Sequence, residues 1–451
     1  MQHASEGGPM MENGTQHPAA EEVARRASPR FGRRRLMTSA ATLAGLYAFQ
    51  RTVGTTFAQS DTGSPGCPLP GLEVNVPDDP TKEQGLRFTE VGIRSPFVND
   101  LQRRWSDGGP NTAGSSWTPH QDLDGIITPA DLHFQRNHAG TALIDPSKHR
   151  LVIHGMVDRP KVYTVEDIQR FPRESHIYFV ECSGNSGSGY GGAAEDATAQ
   201  SIHGLTSTSE WVGVTVRTLL EDVGAQSDAS WALFEGSDAA VMDRSVPVEK
   251  LMDDALIAYM QNGEPIRPEQ GYPMRLVLPG WEGNAQIKWL RRIELGSAPF
   301  QTKEETRHYT DSMPDGTSRQ FTFVMEAKSI ITWPSGGQRI PGPGFWEIKG
   351  IAWSGRGRIR AVEVSTDNGS TWNEARLDSV FPIAHTRFRY PWQWDGEETT
   401  IMSRAIDETG YVQPTREDLV NVRGTNYVYH FNGIQPWVVA NDGSVTNGLT
   451  A

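Results

Sequence analysis

The chain has 451 residues, 37% hydrophobic and 22% charged, which supplies apolar material for real cores and argues against a disordered or fibrous protein. A formal net charge of −13 speaks against nucleic acid as a partner. The 46 Gly and 29 Pro disfavour a helical bundle, and two Cys exclude a four-cysteine zinc or iron–sulfur site.

Residues 1–32 are polar and irregular. Arg33-Arg34-Arg35 then precedes an apolar run from Leu36 to Phe49. A membrane helix needs about 20 such residues, so this run is too short to span. A basic start, a short apolar stretch and small polar residues together read as an export signal over residues 1–58. The arginine pair suggests the twin-arginine route, which carries folded cargo to the periplasm. No other segment reads as a membrane span.

Residues 59–125, rich in Pro, Gly and Asp, read as an extended arm. Residues 126–325 mix element types and predict an α+β domain. Leu151–Val157 is strand-like. Thr164-Val165-Glu166-Asp167 opens a short capped helix ending near Phe171. His176–Val180 is a strand. Thr215 can cap a helix over Val216–Val223 that Gly224 would end. Met274–Leu278 is a strand, and Ile287, Trp289, Ile293 and Leu295 share one face of another. From 326 the composition turns β-rich: Phe345–Trp353, Ile359–Thr366, Thr386–Trp394, Thr399–Ala405 and Tyr427–Phe431, with Asp367-Asn368-Gly369 as a hairpin turn. Residues 326–432 therefore predict a β-sandwich, and 433–451 a loose tail.

Cys182 stands in Glu181-Cys182-Ser183-Gly184-Asn185, where a strand ends in a sharp turn that presents a sulfur. An inert buried thiol and a disulfide to Cys67 are the alternatives from the residues alone. Gly187–Gly192 fits G-x-G-x-x-G, but no amphipathic helix follows and the domain is no run of β-α-β units, so dinucleotide binding is not expected. Phe134-Gln135-Arg136-Asn137-His138 gathers an arginine, amides and an imidazole, a set that can bind phosphate or an oxyanion. No Cys-x-x-Cys-His run occurs, so no c-type haem is expected on this chain.

These segments occur together in a known order. F-x-R-N-H (Phe134–His138), E-C-S-G-N, F-E-G-S-D (Phe234–Asp238), G-Y-P-M-R (Gly271–Arg275), V-L-P-G-W-E-G (Val277–Gly283) and I-K-W-L (Ile287–Leu290) resemble the sulfite oxidase family of molybdenum enzymes. The second half adds A-W-S-G (Ala352–Gly355), V-S-T-D-N-G-S-T-W (Val364–Trp372) and N-V-R-G (Asn421–Gly424). Arg319–Ser329 and Pro268–Pro273 look most like the family's sulfane dehydrogenase branch. The resemblance implies a molybdopterin-binding domain followed by an immunoglobulin-like β-sandwich of the dimerisation type. It implies that Cys182 ligates molybdenum, as a soft thiolate suits a sulfur-rich metal site. It implies that Phe134, Gln135, Arg136, Asn137, His138, Asp238, Gln270, Arg275, Gln286, Ile287 and Lys288 hold the pterin, and that Tyr309, Arg136 and Arg423 meet the substrate. Two positions depart from the family pattern. Gln270 stands where many relatives have His. Gly187 stands five residues after the cysteine, where sulfite-oxidising relatives commonly carry Arg, and is expected to leave the pocket roomier.

The implied function is a periplasmic molybdenum oxidoreductase that oxidises sulfane sulfur on a carrier protein and passes electrons to a c-type cytochrome subunit, as a dimer within a hetero-oligomer. Free sulfite is the alternative substrate. A reductase of oxidised sulfur groups is disfavoured because the second domain with Arg423 is present. A cofactor-free periplasmic binding protein is the alternative from another class.

Overall fold

A computed structural model describes residues 87–449, apart from 96, 99–100, 108, 110–111 and 426. The leader, the first part of the arm and Cys67 lie outside the described residues. From Val91 onward the chain is one compact unit containing two large hydrophobic cores.

The local signals act as expected in the first half. Thr164 accepts the Asp167 N–H while Asp167 reaches back to the Thr164 N–H, closing a capping box on the helix Val165–Arg170. Thr215 caps Val216–Val223, and Gly224 ends it at φ 68°, a left-handed conformation cheap only for glycine. That helix buries Val216, Leu219, Leu220 and Val223, the stripe of an amphipathic helix. It packs into a core shared by two sheets. One runs Lys161–Tyr163, Leu151–Gly155, Leu290–Gly296, Trp231–Gly236, Asp243–Pro247, with only Leu151–Gly155 and Leu290–Gly296 parallel. The other runs Glu264–Pro265, Leu256–Gln261, Thr206–Thr215, Glu174–Glu181, with Arg275–Val277 beside Leu256–Gln261. Short helices between sheets, not alternating with parallel strands, make this half α+β.

The second half is two antiparallel sheets around one core. Lys328–Trp333, Gly344–Trp353, Thr386–Trp394 and Arg376–Leu377 form one. Asn373–Glu374, Ile359–Ser365, Thr399–Asp407, Trp437–Val439 and Val445–Asn447 form the other. Along Thr399–Asp407 every second residue is buried, the period of a strand with one face inward. The two halves are stitched directly: Phe179 N–H donates to Ile383 O (2.9 Å), and the Arg387 guanidinium donates to Leu123 O (2.7 Å) and Gly125 O (2.6 Å) of the arm.

Four expectations need correcting. Residues 433–449 are not loose: Trp437 is fully buried and Trp437–Val439 pairs with Thr399–Ile401, because Trp437, Val439 and Val445 join the apolar core of this half. Tyr427–Phe431 forms no strand; His430 sits at φ 54° and its N–H donates to Ser183 O (2.8 Å) instead of a ladder. The strand proposed from Ile287 begins at Leu290, since Trp289 at φ 52° turns the chain. The described end of the arm is itself a hairpin, Arg104–Asp107 with Gly114–Trp117, and carries Gln135–Asn137 as its third strand.

Candidate active site

The strand Glu174–Glu181 lies beside Thr206–Thr215 and ends at Cys182, whose N–H donates to Leu205 O (2.9 Å). The chain then reverses: Asn185 N–H donates to Cys182 O (2.9 Å) and Ser186 adopts φ 65°. The thiol is free and partly buried. Burial pushes its pKa up, opposed by the Gly184 N–H and the charge of Arg136. It faces a cavity that gathers side chains from six separate stretches.

Phe134, Arg136, Asn137 and His138 line one wall, and Asp238 comes from the loop after Trp231–Gly236. Gln270 and Arg275, then Gln286, Ile287 and Lys288, line the floor. Tyr309 lines the rim and accepts or donates one bond with His138 Nε2 (3.1 Å). Burial, then the charge of Arg136, lowers His138 to about 4, so the imidazole is neutral at pH 7. Burial, then the Cys182 sulfur, holds the Tyr309 pKa well above its ordinary value, so the phenol keeps its proton and can donate to that imidazole.

The charges in the cavity are unusual. Arg275 is 3% exposed, and its guanidinium donates to carbonyls, Gln270 O (3.1 Å) and Gln286 O (3.3 Å). Burial lowers it to about 9. Lys288 donates to Glu269 O (3.0 Å), Arg136 O (3.2 Å) and Asn137 Oδ1, and burial, reinforced by Arg275, holds it well below the usual lysine range. Among the described residues neither has a carboxylate within ion-pair distance. Beside them Gln286 Oε1 and Asn284 Oδ1 are buried with no hydrogen-bond partner. Unpaired buried cations call for an anionic group and orphaned amide oxygens for a hydrogen-bond donor, and a ligand carrying both would offset the cost.

Two of the expected residues stand elsewhere. Gln135 alternates away from its neighbours, and its amide donates to Thr141 Oγ1 (2.9 Å) in a separate groove. Arg423 does not line the cavity: it is 6% exposed, donates to Glu326 Oε2 (2.8 Å) and lies over the Tyr427 ring. Its helix, Arg416–Arg423, ends against that carboxylate, so its charge is paired, although Nη1 is buried without a hydrogen-bond partner. Gln270 is used internally, bridging Phe134 O (2.8 Å) and Arg275 (3.4 Å). Gly187 opens no room either. A Cβ there would meet Val428 O at 2.5 Å, because the 427–431 segment packs on the turn.

Sequence reasoning missed what supports Tyr309. Arg244, fully buried, sits 5.1 Å from its ring centroid and pairs with Glu282 (3.1 Å), which in turn lies 3.2 Å from His430 Nε2. Tyr429 lies 5.3 Å from Tyr309, ring to ring. Glu282 lies in the Val277–Gly283 run that carries the resemblance; Arg244 has no sequence signal.

Two family models match the chain. The oxidoreductase molybdopterin binding domain covers residues 138–304, and the Mo-co oxidoreductase dimerisation domain covers 319–436. The mitochondrial sulfite oxidase of Rattus norvegicus is 30% identical over 382 residues, 78% of this chain and 68% of the relative. A nitrate reductase [NADH] of Solanum lycopersicum is 30% identical over 337 residues, 65% of this chain but 36% of the relative. The solved structure of the sulfane dehydrogenase SoxCD from Paracoccus pantotrophus aligns with TM-score 0.79 and 43% identity, covering 81% of this chain and 95% of that one.

Proposed function

Because the chain belongs to the sulfite oxidase family of molybdopterin enzymes, an oxidoreductase lineage acting here on sulfur groups, we propose that its substrate is sulfane sulfur held as a persulfide on a carrier protein. The observation that carries the reading is the cavity beneath Cys182: two buried cations without counterions and two orphaned amide oxygens. That set fits the pterin and its phosphate. Arg275 and Lys288 would meet the phosphate, with Phe134, Asn137 and His138 on one wall and Asp238, Gln286 and Ile287 completing the lining. Cys182 supplies the soft sulfur that a molybdenum ligand needs. When bound, the molybdenum centre supplies oxygen-atom transfer to sulfur with two-electron exchange. Around it, Arg136 offers a guanidinium without an ion-pair partner among the described residues for the oxyanion that forms. Neutral His138 accepts from Tyr309 and holds the phenol pointing into the cavity.

The sulfane dehydrogenase likeness at 43% identity supports the carrier-bound substrate over free sulfite. It also supports a c-type cytochrome as the acceptor. The match to a dimerisation domain supports a dimer, with the two-sheet half as an immunoglobulin-like pairing unit. We read Arg33-Arg34 as a twin-arginine address, a reading that supports a periplasmic enzyme. No helix among the described residues is long and apolar enough to cross a membrane.

The test is molybdenum per chain, then turnover with persulfide-loaded carrier and with sulfite, cytochrome c as acceptor. Stoichiometric metal and preference for the carrier are expected. Cys182→Ser should fold and lose more than about 100-fold in turnover, beyond what outer contacts of a metal site give. Preference for sulfite would make this a sulfite dehydrogenase. Absence of molybdenum would leave a binding protein.

A further inference from the structure

Lys328 opens the first strand of the two-sheet half, Lys328–Trp333, yet its side chain points out of that half. It is 2% exposed, and its ammonium lies 3.3 Å from Glu181 Oε1 and donates to Ser186 Oγ at 2.6 Å. Glu181 directly precedes Cys182, and Ser186 is the left-handed residue that closes the turn after it. One cation therefore grips both ends of the turn that presents the sulfur.

Each end is bonded further. Glu181 Oε2 accepts from Trp353 Nε1 (2.6 Å) and Oε1 from Asn185 Nδ2 (2.9 Å). Asn185 Oδ1 accepts the Leu205 N–H (3.1 Å). Because Ser186 Oγ accepts from Lys328, its own proton goes to His203 Nδ1 (2.6 Å). The opposite nitrogen of His203 then donates to Gln435 Oε1 (3.2 Å), whose Nε2 donates to Asn447 Oδ1 (2.9 Å). Donors and acceptors along this buried chain agree in direction, so it sets one arrangement of the turn.

We propose that Lys328 is a positioning residue for Cys182, fixing the direction of the sulfur through Glu181 and Ser186. The proposal rests on Cys182 being the molybdenum ligand. Such contacts would orient a ligand from behind, and they give the carboxylate one residue away a counterion beyond its neutral partners Trp353 and Asn185. Substrate is met on the opposite, cavity side, so Lys328 should act on kcat and leave KM alone.

The experiment uses holoenzyme carrying Lys328→Met, Glu181→Gln, or both. The readouts are molybdenum content, kcat and KM per bound molybdenum, and the electron paramagnetic resonance signal of the one-electron-reduced metal. Lys328→Met should lower kcat per molybdenum by about 10–100-fold, with KM within about twofold, and should shift the resonance signal. If that variant fails to accumulate because Glu181 is left charged without a counterion, the neutral double variant carries the test, and it too should show a shifted signal and a lowered kcat. Wild-type kcat per molybdenum with an unchanged signal in the double variant would overturn the proposal and leave Lys328 a structural cross-link. Wild-type enzyme without molybdenum would instead overturn the assignment of Cys182, and the proposal with it.

Discussion

Arg275 and Lys288 on the cavity side of Cys182, and Lys328 and Arg423 on the side of the two-sheet half, are all buried cations. The second pair comes with carboxylates, Glu181 at 3.3 Å and Glu326 at 2.8 Å. The first pair is surrounded by carbonyls and amides. Arg387 is also buried and bonded only to carbonyls and a hydroxyl, but it is spent on the arm, whereas Arg275 and Lys288 line a cavity where a ligand can supply negative charge. Cavity placement together with the missing counterion separates cations that hold the protein together from cations that can hold something else.

Acid should test the contrast most severely, by creating further buried cations. His120, His133, His203 and His385 are buried and neutral, the first two lowered by burial to about 3 and the others held well below 6.5. The unfolded chain takes up these protons near 6.5. Stability is therefore complete above that pH and is lost as the pH falls from there toward about 3. A histidine that stays neutral in the fold weakens stability by about 1.4 kcal/mol for each pH unit below its unfolded pKa. Urea midpoints at pH 7.5, 6.0 and 5.0 measure this, and a flat profile would mean that these sites accept charge.

Lys288→Met should sharpen the distinction. It removes an uncompensated charge, so the cofactor-free protein should melt at an equal or higher temperature, while bound molybdenum falls by about tenfold or more. A large drop in cofactor-free stability would show that Lys288 is structural after all. Arg423→Ala should do the reverse on a smaller scale. It should cost about 1.5 kcal/mol, the lower end for a charged hydrogen bond because Glu326 is 18% exposed, with turnover per molybdenum unchanged. Lost turnover at unchanged stability would return Arg423 to the substrate.

What could be read from the residues was what is decided locally. The helix Val216–Val223 carries its own cap, stripe and stop, and the strand Thr386–Trp394 its own run of β-formers. Cys182 was visible as a sulfur at a strand end, but its cavity was legible only through resemblance, because the floor comes from Gln270 to Lys288 and the rim from Tyr309. The ion pair of Lys328 and Glu181 joins residues 147 apart in sequence and has no local signature. Tyr427–Phe431 misled because aromatic residues suit both a strand and a packed loop. Here Tyr427 and Phe431 are both buried, against Tyr190. The mismatch at Gly187 has the same origin: the room it leaves is filled by backbone from distant Val428.

Asn447 reaches back to the carbonyls of Ala193 (3.2 Å) and Ala194 (3.1 Å), just past the Cys182 turn, and ends the relay that begins at Lys328. During synthesis on the ribosome this has a timing consequence. The turn is made early, but the bonds that fix it wait until residues 435–447 have emerged. A nascent chain therefore cannot complete the buried relay behind Cys182 until Trp437–Val439 and Val445–Asn447 have emerged.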